Sequence, residues 1–181
     1  MKNLRCLIII FFLVISTAGA QEFKTKNGNV EFLSKAALNE FNGKSSNLNG
    51  LVDLDKNLID FFVDLNTLKT GIGLRDRHMR ENYLETKKFP FAEFTGKIES
   101  GADLKIGDSK EVIARGKFKI HGVERNISVP GTITRMNKDE IKLEAMFQLL
   151  LSDYKIDVPK VVFYELAEEQ QVSINALLKN N

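Results

Sequence analysis

Residues 111–133 read EVIARGKFKIHGVERNISVPGTI and decide the fold. Up to Ile120, apolar or small side chains alternate with polar ones, and the same period of two returns from Ile127 to Ile133. Such alternation is typical of strands that have one face in a core and the other in water. Because only residues 121–125 link the two strands, we expect an antiparallel hairpin, since parallel strands need a long crossover.

The same alternation recurs on both sides of this hairpin. It predicts further strands at residues 30–33, 51–55, 58–65, 91–98, 141–149, 161–166 and 172–176, with short polar turns at 55–57 and 136–140. We therefore predict an all-β chain of about eight antiparallel strands, which closes as a barrel because closure removes exposed sheet edges. An open two-sheet sandwich is the main structural alternative.

Two segments break the alternation. Residues 36–41 are predicted to form a short helical turn. Residues 67–90 form a longer excursion, in which helix formers run from 74 to 87 and place Met79 and Tyr83 on one face at a spacing of four. Pro90 is incompatible with helical geometry at the residue before it and is expected to end the excursion. We predict that this single short helix caps one opening of the barrel.

Residues 1–20 have the pattern of an export signal. Lys2 and Arg5 precede an unbroken apolar run at 7–15, and Ala18-Gly19-Ala20 fits the small-residue rule for cleavage. The alternative is an uncleaved anchor, but nine apolar residues are short of the roughly 20 that a bilayer needs. We predict cleavage near Ala20, a mature domain at 21–181, and a periplasmic or secreted location.

Removal of this segment changes the charge and leaves no thiol. Lys2 and Arg5 leave with it, so 24 basic residues face 24 acidic ones, and no basic cluster suggests a nucleic-acid partner. Cys6, the one cysteine, is also removed. Disulfides, thiolate catalysis and cysteine metal ligands are therefore excluded from the mature domain.

Small residues recur at positions that the alternation turns inward. An eight-stranded barrel is just wide enough to be filled by side chains or to hold one small ligand. We interpret the small residues as a sign of unfilled apolar volume, which accepts hydrocarbon rather than water. The alternative is that they allow close strand packing. The residues are Ala92, Gly96, Ala114, Gly116, Gly131, Ala145 and Ala176.

One polar cluster, Arg75-Asp76-Arg77-His78, begins the predicted helix. Arg75, Asp76 and His78 could hydrogen-bond a ligand head group or a diphosphate at the barrel mouth; alternatively, Arg75 and Asp76 pin the helix to the rim. An enzymatic alternative would use His78 and Asp76 as an acid–base pair. The spacing of His78 and His121 indicates no metal site, and no nucleophile elbow or phosphate loop is present.

The order of several motifs resembles the YceI-like family of secreted polyisoprenoid-binding proteins. This resemblance implies a lipocalin-like eight-stranded barrel with a helix beside it, an isoprenoid tail inside and, often, a homodimer. The chain departs from the family pattern at Tyr83-Leu84, where a Phe-rich pair is usual, and at Lys155, where glycine is common. The matching pieces lie in FNG at 41–43, LNGLVDLD at 48–55, LKTG at 68–71, RDRHM at 75–79, KFPFAEF at 88–94, GKFKIHGV at 116–123 and residues 147–156.

Our first hypothesis is a non-enzymatic carrier or sequestering protein that needs no cofactor and whose ligand is an isoprenoid lipid of quinone or prenyl-diphosphate type. The alternative is a filled barrel that acts as a structural or stress-response interaction module without a lipid. Transient membrane contact and a homodimer face at Ile113 or Met146 are further expectations. The predicted ligand-binding residues are Ile59, Phe61, Val63, Phe94, Phe118, Ile120 and Phe147 in the tunnel, Met79 and Tyr83 at the cap, and Arg75, Asp76 and His78 at the rim.

Overall fold

The structure is a computed structural model that describes residues 21–99, 101, 103–158 and 166–180. Eight strands form one closed antiparallel barrel, in which each strand pairs with its neighbour in sequence. The last strand pairs with the first, as in Val30 opposite Ile174, and this pairing excludes an open sandwich. The strands are β1 Glu22–Lys35, β2 Glu40–Asp53, β3 Leu58–Asp64, β4 Phe91–Ile98, β5 Ser109–Ile120, β6 Val123–Arg135, β7 Glu140–Leu150 and β8 Glu169–Asn180.

The predicted all-β barrel is thus confirmed, but the first two strands are much longer than expected. The strand predicted at 30–33 extends over all of β1, and the one predicted at 51–55 is the end of β2. The register between β1 and β2 shifts on both sides of Gly28. Such a bulge interrupts the strict alternation from which strands are predicted, because one strand contributes an extra residue.

The helical turn predicted at residues 36–41 is wrong. Lys35 lies opposite Glu40, and the Ala36 amide donates a hydrogen bond of 2.9 Å to Asn39 O. These four link residues form a hairpin turn because two long antiparallel strands meet there. The strand predicted at 161–166 lies outside the described residues except for Leu166, which is not in a strand, and the predicted export signal at 1–20 also lies outside them.

The helix between β3 and β4 is shorter than the sequence predicts. Helix α1, Gly73–His78, runs into a π-helical turn, Met79–Tyr83. Glu85 then adopts a φ of 44°, in the left-handed region, and this ends the helical run five residues before Pro90. Pro90 therefore does not end the helix; it lies just before β4, and its carbonyl accepts a 2.8 Å hydrogen bond from the Leu65 amide.

One half of the barrel interior is solidly packed. Phe23, Val52, Ile133, Ile141 and Leu178 are completely buried there. These residues come from the start of β1, the end of β2, the end of β6, the start of β7 and the end of β8, all at the same end of the barrel. The guanidinium of Arg135 lies 5.0 Å from the Phe23 ring centroid and covers this closed end.

Most of the small inward residues belong to the packed half and make close strand contacts. A side chain at Gly96 would collide with the backbone at Arg115, and one at Gly116 would collide with the backbone at Thr95. Gly96 and Gly116 lie opposite each other in β4 and β5. Our interpretation of these glycines as unfilled volume is therefore wrong; they allow two backbones to approach.

The barrel wall is incomplete between β6 and β7. The two strands pair only from Gly131 opposite Ala145 to Arg135 opposite Ile141. In the described part of the chain, residues 123–130 of β6 pair with β5 alone. Near the end of this gap Arg125 Nε donates a 3.1 Å hydrogen bond to Asp153 O, so a side-chain contact spans part of the opening.

Candidate functional site

A cavity of about 410 Å³ occupies the other half of the barrel, beneath α1. Its volume falls within the range of roughly 300–1,000 Å³ that is usual for small-molecule sites. The wall is mostly aliphatic and aromatic, because the strand ends at this side of the barrel turn Val, Leu, Ile and Phe inward. Wall residues from the strands include Val30, Phe32, Leu48, Phe61, Val63, Ala92, Phe94, Phe118, Ile120, Phe147, Leu149, Val172 and Ile174.

Six of the seven predicted tunnel residues line this cavity: Phe61, Val63, Phe94, Phe118, Ile120 and Phe147. The Phe118 ring packs edge-to-face against Phe147 at 5.8 Å and against Tyr154 at 5.6 Å. Ile59 is buried but does not line the cavity. It lies near the start of β3, opposite Val52, which belongs to the packed half. Of the small inward residues, only Ala92 lines the cavity.

The cap is built from α1 and the turn that follows it. Met79 and Tyr83 both line the cavity, as their spacing on one helix face predicts. Met79 is buried, whereas Tyr83 is partly exposed. Leu84, at the end of the turn, is buried and lines the same space. One face of the short helical segment therefore forms the roof of the cavity.

Asp76 fixes the start of this cap to the preceding loop. Its Oδ1 accepts hydrogen bonds of 2.7 Å from both the amide and the hydroxyl of Thr70. Burial by itself would raise the pKa of Asp76, but the two hydrogen bonds from Thr70, together with the positive charges of Lys69 and Arg80, hold the pKa below its ordinary value. Asp76 does not line the cavity, so it holds the start of the cap in place and does not lie at the cavity mouth.

Glu85 and His121 form a second contact that holds the cap to the barrel, on the far side of the cap. His121 Nε2 lies 3.1 Å from Glu85 Oε2, and its Nδ1 lies 3.1 Å from Tyr154 O. The hydrogen bond from Lys88, followed by that from His121, lowers the pKa of Glu85. His121 itself has a φ of 53° in the β5–β6 turn. This histidine therefore joins the cap to two barrel turns.

The polar residues of the wall gather at the mouth, where Arg75 and His78 line the cavity. The Arg75 guanidinium lies over the Phe41 ring, 4.2 Å from its centroid. A guanidinium held in this way keeps its N–H edge available for an acceptor. Asn39, Glu93 and Gln170 are the other polar wall residues from the strand ends and turns.

The acid–base pair of the enzymatic alternative is not assembled. His78 lines the cavity, whereas Asp76 does not, and its Oδ1 accepts both hydrogen bonds from Thr70. Among the described residues, no group of three or more His, Cys, Asp or Glu side chains is placed to hold a metal ion. Nor does any helix in that part of the chain have the length and apolar character needed to cross a membrane.

Sequence reasoning missed several wall residues. Phe32 lies in the strand predicted at 30–33 but was not assigned to the wall, and Phe41 lies in the segment predicted as a helical turn. Leu65, Leu68, Leu151 and Ile156 lie outside the strands, where no periodicity indicates direction. Their apolar character was visible in the sequence, but their contribution to the wall depends on how each link folds back over the mouth.

A second depression of about 900 Å³ lies where the pairing of β6 with β7 ends, and its lining includes the buried Val112 and Ile174, which also lines the internal cavity. Ile113 and Met146, the residues suggested for a dimer face, both line it and are exposed. Glu31, Glu99, Glu111 and Glu144 also line it. The internal cavity is more enclosed and more apolar than this depression, so it is the candidate site for an apolar chain.

Comparison with known proteins agrees with this architecture. The model of the YceI-like domain family matches residues 22–178. No curated protein sequence matches the chain significantly.

Three solved structures share the fold at low sequence identity. A polyisoprenoid binding domain from Saccharophagus degradans, implicated in plant cell wall breakdown, has a TM-score of 0.75 and 17% identity, covering 90% of this chain and 99% of its own. BcnA from Burkholderia cenocepacia has a TM-score of 0.71 and 17% identity, covering 84% and 96%. The YCEI protein of Campylobacter jejuni has a TM-score of 0.62 and 16% identity, covering 100% and 99%.

Proposed function

Because the chain belongs to the YceI-like domain family, we propose that it is a binding protein that holds the apolar tail of a polyisoprenoid lipid inside its barrel. The observation that carries the proposal is the cavity of about 410 Å³, apolar along the barrel wall and polar only at its mouth. The solved structure from Saccharophagus degradans, described as a polyisoprenoid binding domain, supports the same ligand class.

The cavity supplies the affinity for such a tail without any catalytic group. Burial of each methylene contributes roughly 0.8 kcal/mol. A branched isoprenoid chain of several units therefore binds through contact with wall residues such as Phe61, Phe118 and Phe147. The packed half of the barrel sets the depth that the tail can reach, since Phe23 and Ile133 fill the axis there.

Arg75 and His78 are the groups that we propose for the head group. Both line the mouth, and Arg75 is braced against Phe41 rather than paired with a carboxylate among the described residues. Phosphate oxygens and quinone carbonyls are acceptors, and a guanidinium presents several donors to them. Asp76, which the sequence suggested as a third member, serves the cap instead.

We propose a role in transport, storage or sequestration outside the inner membrane. Residues 1–20 have the pattern of an export signal, and cleavage near Ala20 would release the barrel to the periplasm or the exterior. A protein in that compartment that shields an isoprenoid tail from water lets the lipid leave a membrane.

Native mass spectrometry tests the proposal. The mature protein is purified gently from its own compartment, and separate samples are incubated with a prenyl quinone and a prenyl diphosphate of equal tail length. We expect an apolar adduct on the purified protein or uptake of at least one probe. A bare mass with both probes, from a protein that remains folded, would favour the filled-barrel interaction module.

An Arg75→Gln variant then tests the assignment of the head group. It should lose more affinity for the diphosphate than for the quinone, because only the diphosphate carries charge. A Lys110→Gln variant on β5, which does not line the cavity, is the control for a general loss of positive charge. Equal loss for both probes would exclude Arg75 as a head-group residue.

A further inference from the structure

Exposed apolar side chains surround one side of the cavity mouth. Leu38, in the β1–β2 turn, is 76% exposed, and Ile72 and Leu74, at the start of α1, are 50% and 49% exposed. We call these three residues the mouth rim. Single exposed apolar residues are ordinary, but a group of them beside an apolar cavity marks an interaction surface.

The rim is continuous with the cavity. Ile72 and Leu74 are exposed and also line the cavity wall. Asn39, which follows Leu38 in the turn, lines the cavity as well. Arg75 lies 4.2 Å from the Phe41 ring, so the start of α1 packs beside the start of β2. The turn that carries Leu38 and the helix that carries Leu74 therefore lie on the same side of the opening.

Positive charge accompanies this rim. Residues 69–80, which include Ile72 and Leu74, contain four basic side chains and one acidic one, a net charge of +3 with histidine neutral. Arg77 is exposed, and its side chain has no hydrogen bond or ion pair to another described residue. The described links beside β7 and β8 carry charges of both signs instead, with Lys155 between Asp153 and Asp157.

We propose that the mouth rim is a docking surface for an anionic lipid bilayer, on which the barrel sits with its α1 side down. This inference rests on the proposed lipid-binding function. Exposed aliphatic side chains insert at the bilayer interface, and basic residues beside them are attracted to anionic head groups. The basic start of the cap then lies against the anionic surface, and the cavity faces the lipid that it takes up.

Vesicle flotation tests the docking surface. The mature protein is mixed with vesicles of equal parts phosphatidylcholine and phosphatidylglycerol, or of phosphatidylcholine alone, at low and high salt. We expect binding to the anionic vesicles that weakens at high salt, because screening removes the attraction between exposed charges. Equal binding to both kinds of vesicle, or no binding to either, would overturn the proposal.

Two variants and one control locate the surface. Arg77→Gln should weaken binding to anionic vesicles about fivefold, the effect of one charge near such a surface, and Leu38→Ser should weaken binding to the same vesicles. Ile106→Ser, which removes a 65% exposed side chain in the β4–β5 link, should leave binding unchanged. If Leu38→Ser and Ile106→Ser behave alike, the mouth rim is not the docking surface.

The failure of this inference can be told apart from the failure of the proposed function. Leu38 and Arg77 do not line the cavity, so both variants should retain the prenyl probes in native mass spectrometry without vesicles. Retained probes together with absent vesicle binding would reject the docking surface alone. A dimer that Leu38→Ser converts to monomer would likewise reject the bilayer, because the rim would then bind a second copy of this chain.

Discussion

The ring of Phe61 occupies the space that a side chain at Gly50 would need. The two residues lie opposite each other in β3 and β2, and a Cβ built on Gly50 would overlap the edge of the Phe61 ring. Because Phe61 also lines the cavity, this glycine determines where part of the cavity wall lies. The relationship links a backbone position on one strand to the volume available to a ligand.

Gly50→Ala should therefore reduce uptake of a prenyl probe. The new methyl group forces the Phe61 ring away from β2, and the space beside it is the cavity. We expect destabilisation of about 1–3 kcal/mol, which is usual when a packed site is overfilled, as measured by urea unfolding, together with weaker probe binding. In a Phe61→Ala background, Gly50→Ala should lower the free energy of unfolding much less. An equal loss in both backgrounds would show that the new methyl group does not collide with the Phe61 ring.

Phe118→Asp should abolish uptake of the lipid probe. Phe118 is buried, lines the cavity and contacts the rings of Phe147 and Tyr154, so an aspartate there places a charge against the tail. Ile113→Asp, on the outer face of the same strand, is the matched control. Native mass spectrometry with a prenyl quinone measures the difference. A folded Phe118→Asp protein with full uptake would refute this position for the tail.

Loss of the Asp76 carboxylate should loosen the cap. Asp76→Ala removes both hydrogen bonds from Thr70 and leaves its amide without this partner, at a cost of about 1–3 kcal/mol. We expect increased hydrogen exchange in residues 70–84 and faster release of the probe. Asp76→Asn retains an acceptor oxygen and should fall between wild type and Asp76→Ala. Exchange rates in Asp76→Ala that are identical to those of the wild type would show that Asp76 does not hold the cap in place.

Acidification should weaken the same contact. The folded-state pKa of Asp76 lies below its ordinary value of 3.8, so the ionised carboxylate stabilises the fold above that pH. This contribution is lost as pH falls through the lower, folded-state pKa. Urea unfolding from neutral pH down to pH values below 3.8 should show that the free energy of unfolding falls on acidification, and that it falls less in Asp76→Asn than in the wild type. Parallel curves for the two proteins would contradict the assignment.

Gly116→Ala should destabilise the barrel by roughly 1–3 kcal/mol. Its added methyl group would meet the backbone at Thr95 and Gly96, which cannot move without separating β4 from β5. Gly73→Ala is the control, since nothing lies within 4 Å of a Cβ there and the position is helical. That substitution should be neutral or stabilising in the same urea titration. Similar losses in both variants would show that strand packing at Gly116 is not tight.

Many residues of the candidate site could be predicted because strand alternation fixes whether a side chain points into the barrel or out of it. Phe61, Val63, Phe94, Phe118, Ile120 and Phe147 follow a period of two in continuous strands, and all line the cavity. Ile59 obeys the same period, yet it lies in the packed half. The period indicates whether a side chain points inward, but it carries no information about its height along the barrel axis.

The backbone conformation of Lys155 is a feature that the sequence indicated only through its resemblance to the YceI-like family. The residue has a φ of 56°, in the left-handed region that favours glycine, and it follows Tyr154 at the end of a short 3-10 turn. The resemblance to the YceI-like family implies glycine at this position. The lysine therefore adopts a strained conformation at a turn whose shape the family pattern already suggests.

The sequence by itself determined antiparallel strands with one polar and one apolar face, because alternation and short turns are local properties. Closure into a barrel depends on the pairing of β1 with β8, which are distant in sequence. It also indicated which residues of the π-helical turn after α1 cover the cavity, through the spacing of Met79 and Tyr83. Only the tertiary structure decided which half of the barrel is open. That division depends on strands distant in sequence meeting at the same height, where Phe23, Ile133 and Leu178 fill one end and the links over the other end enclose a cavity.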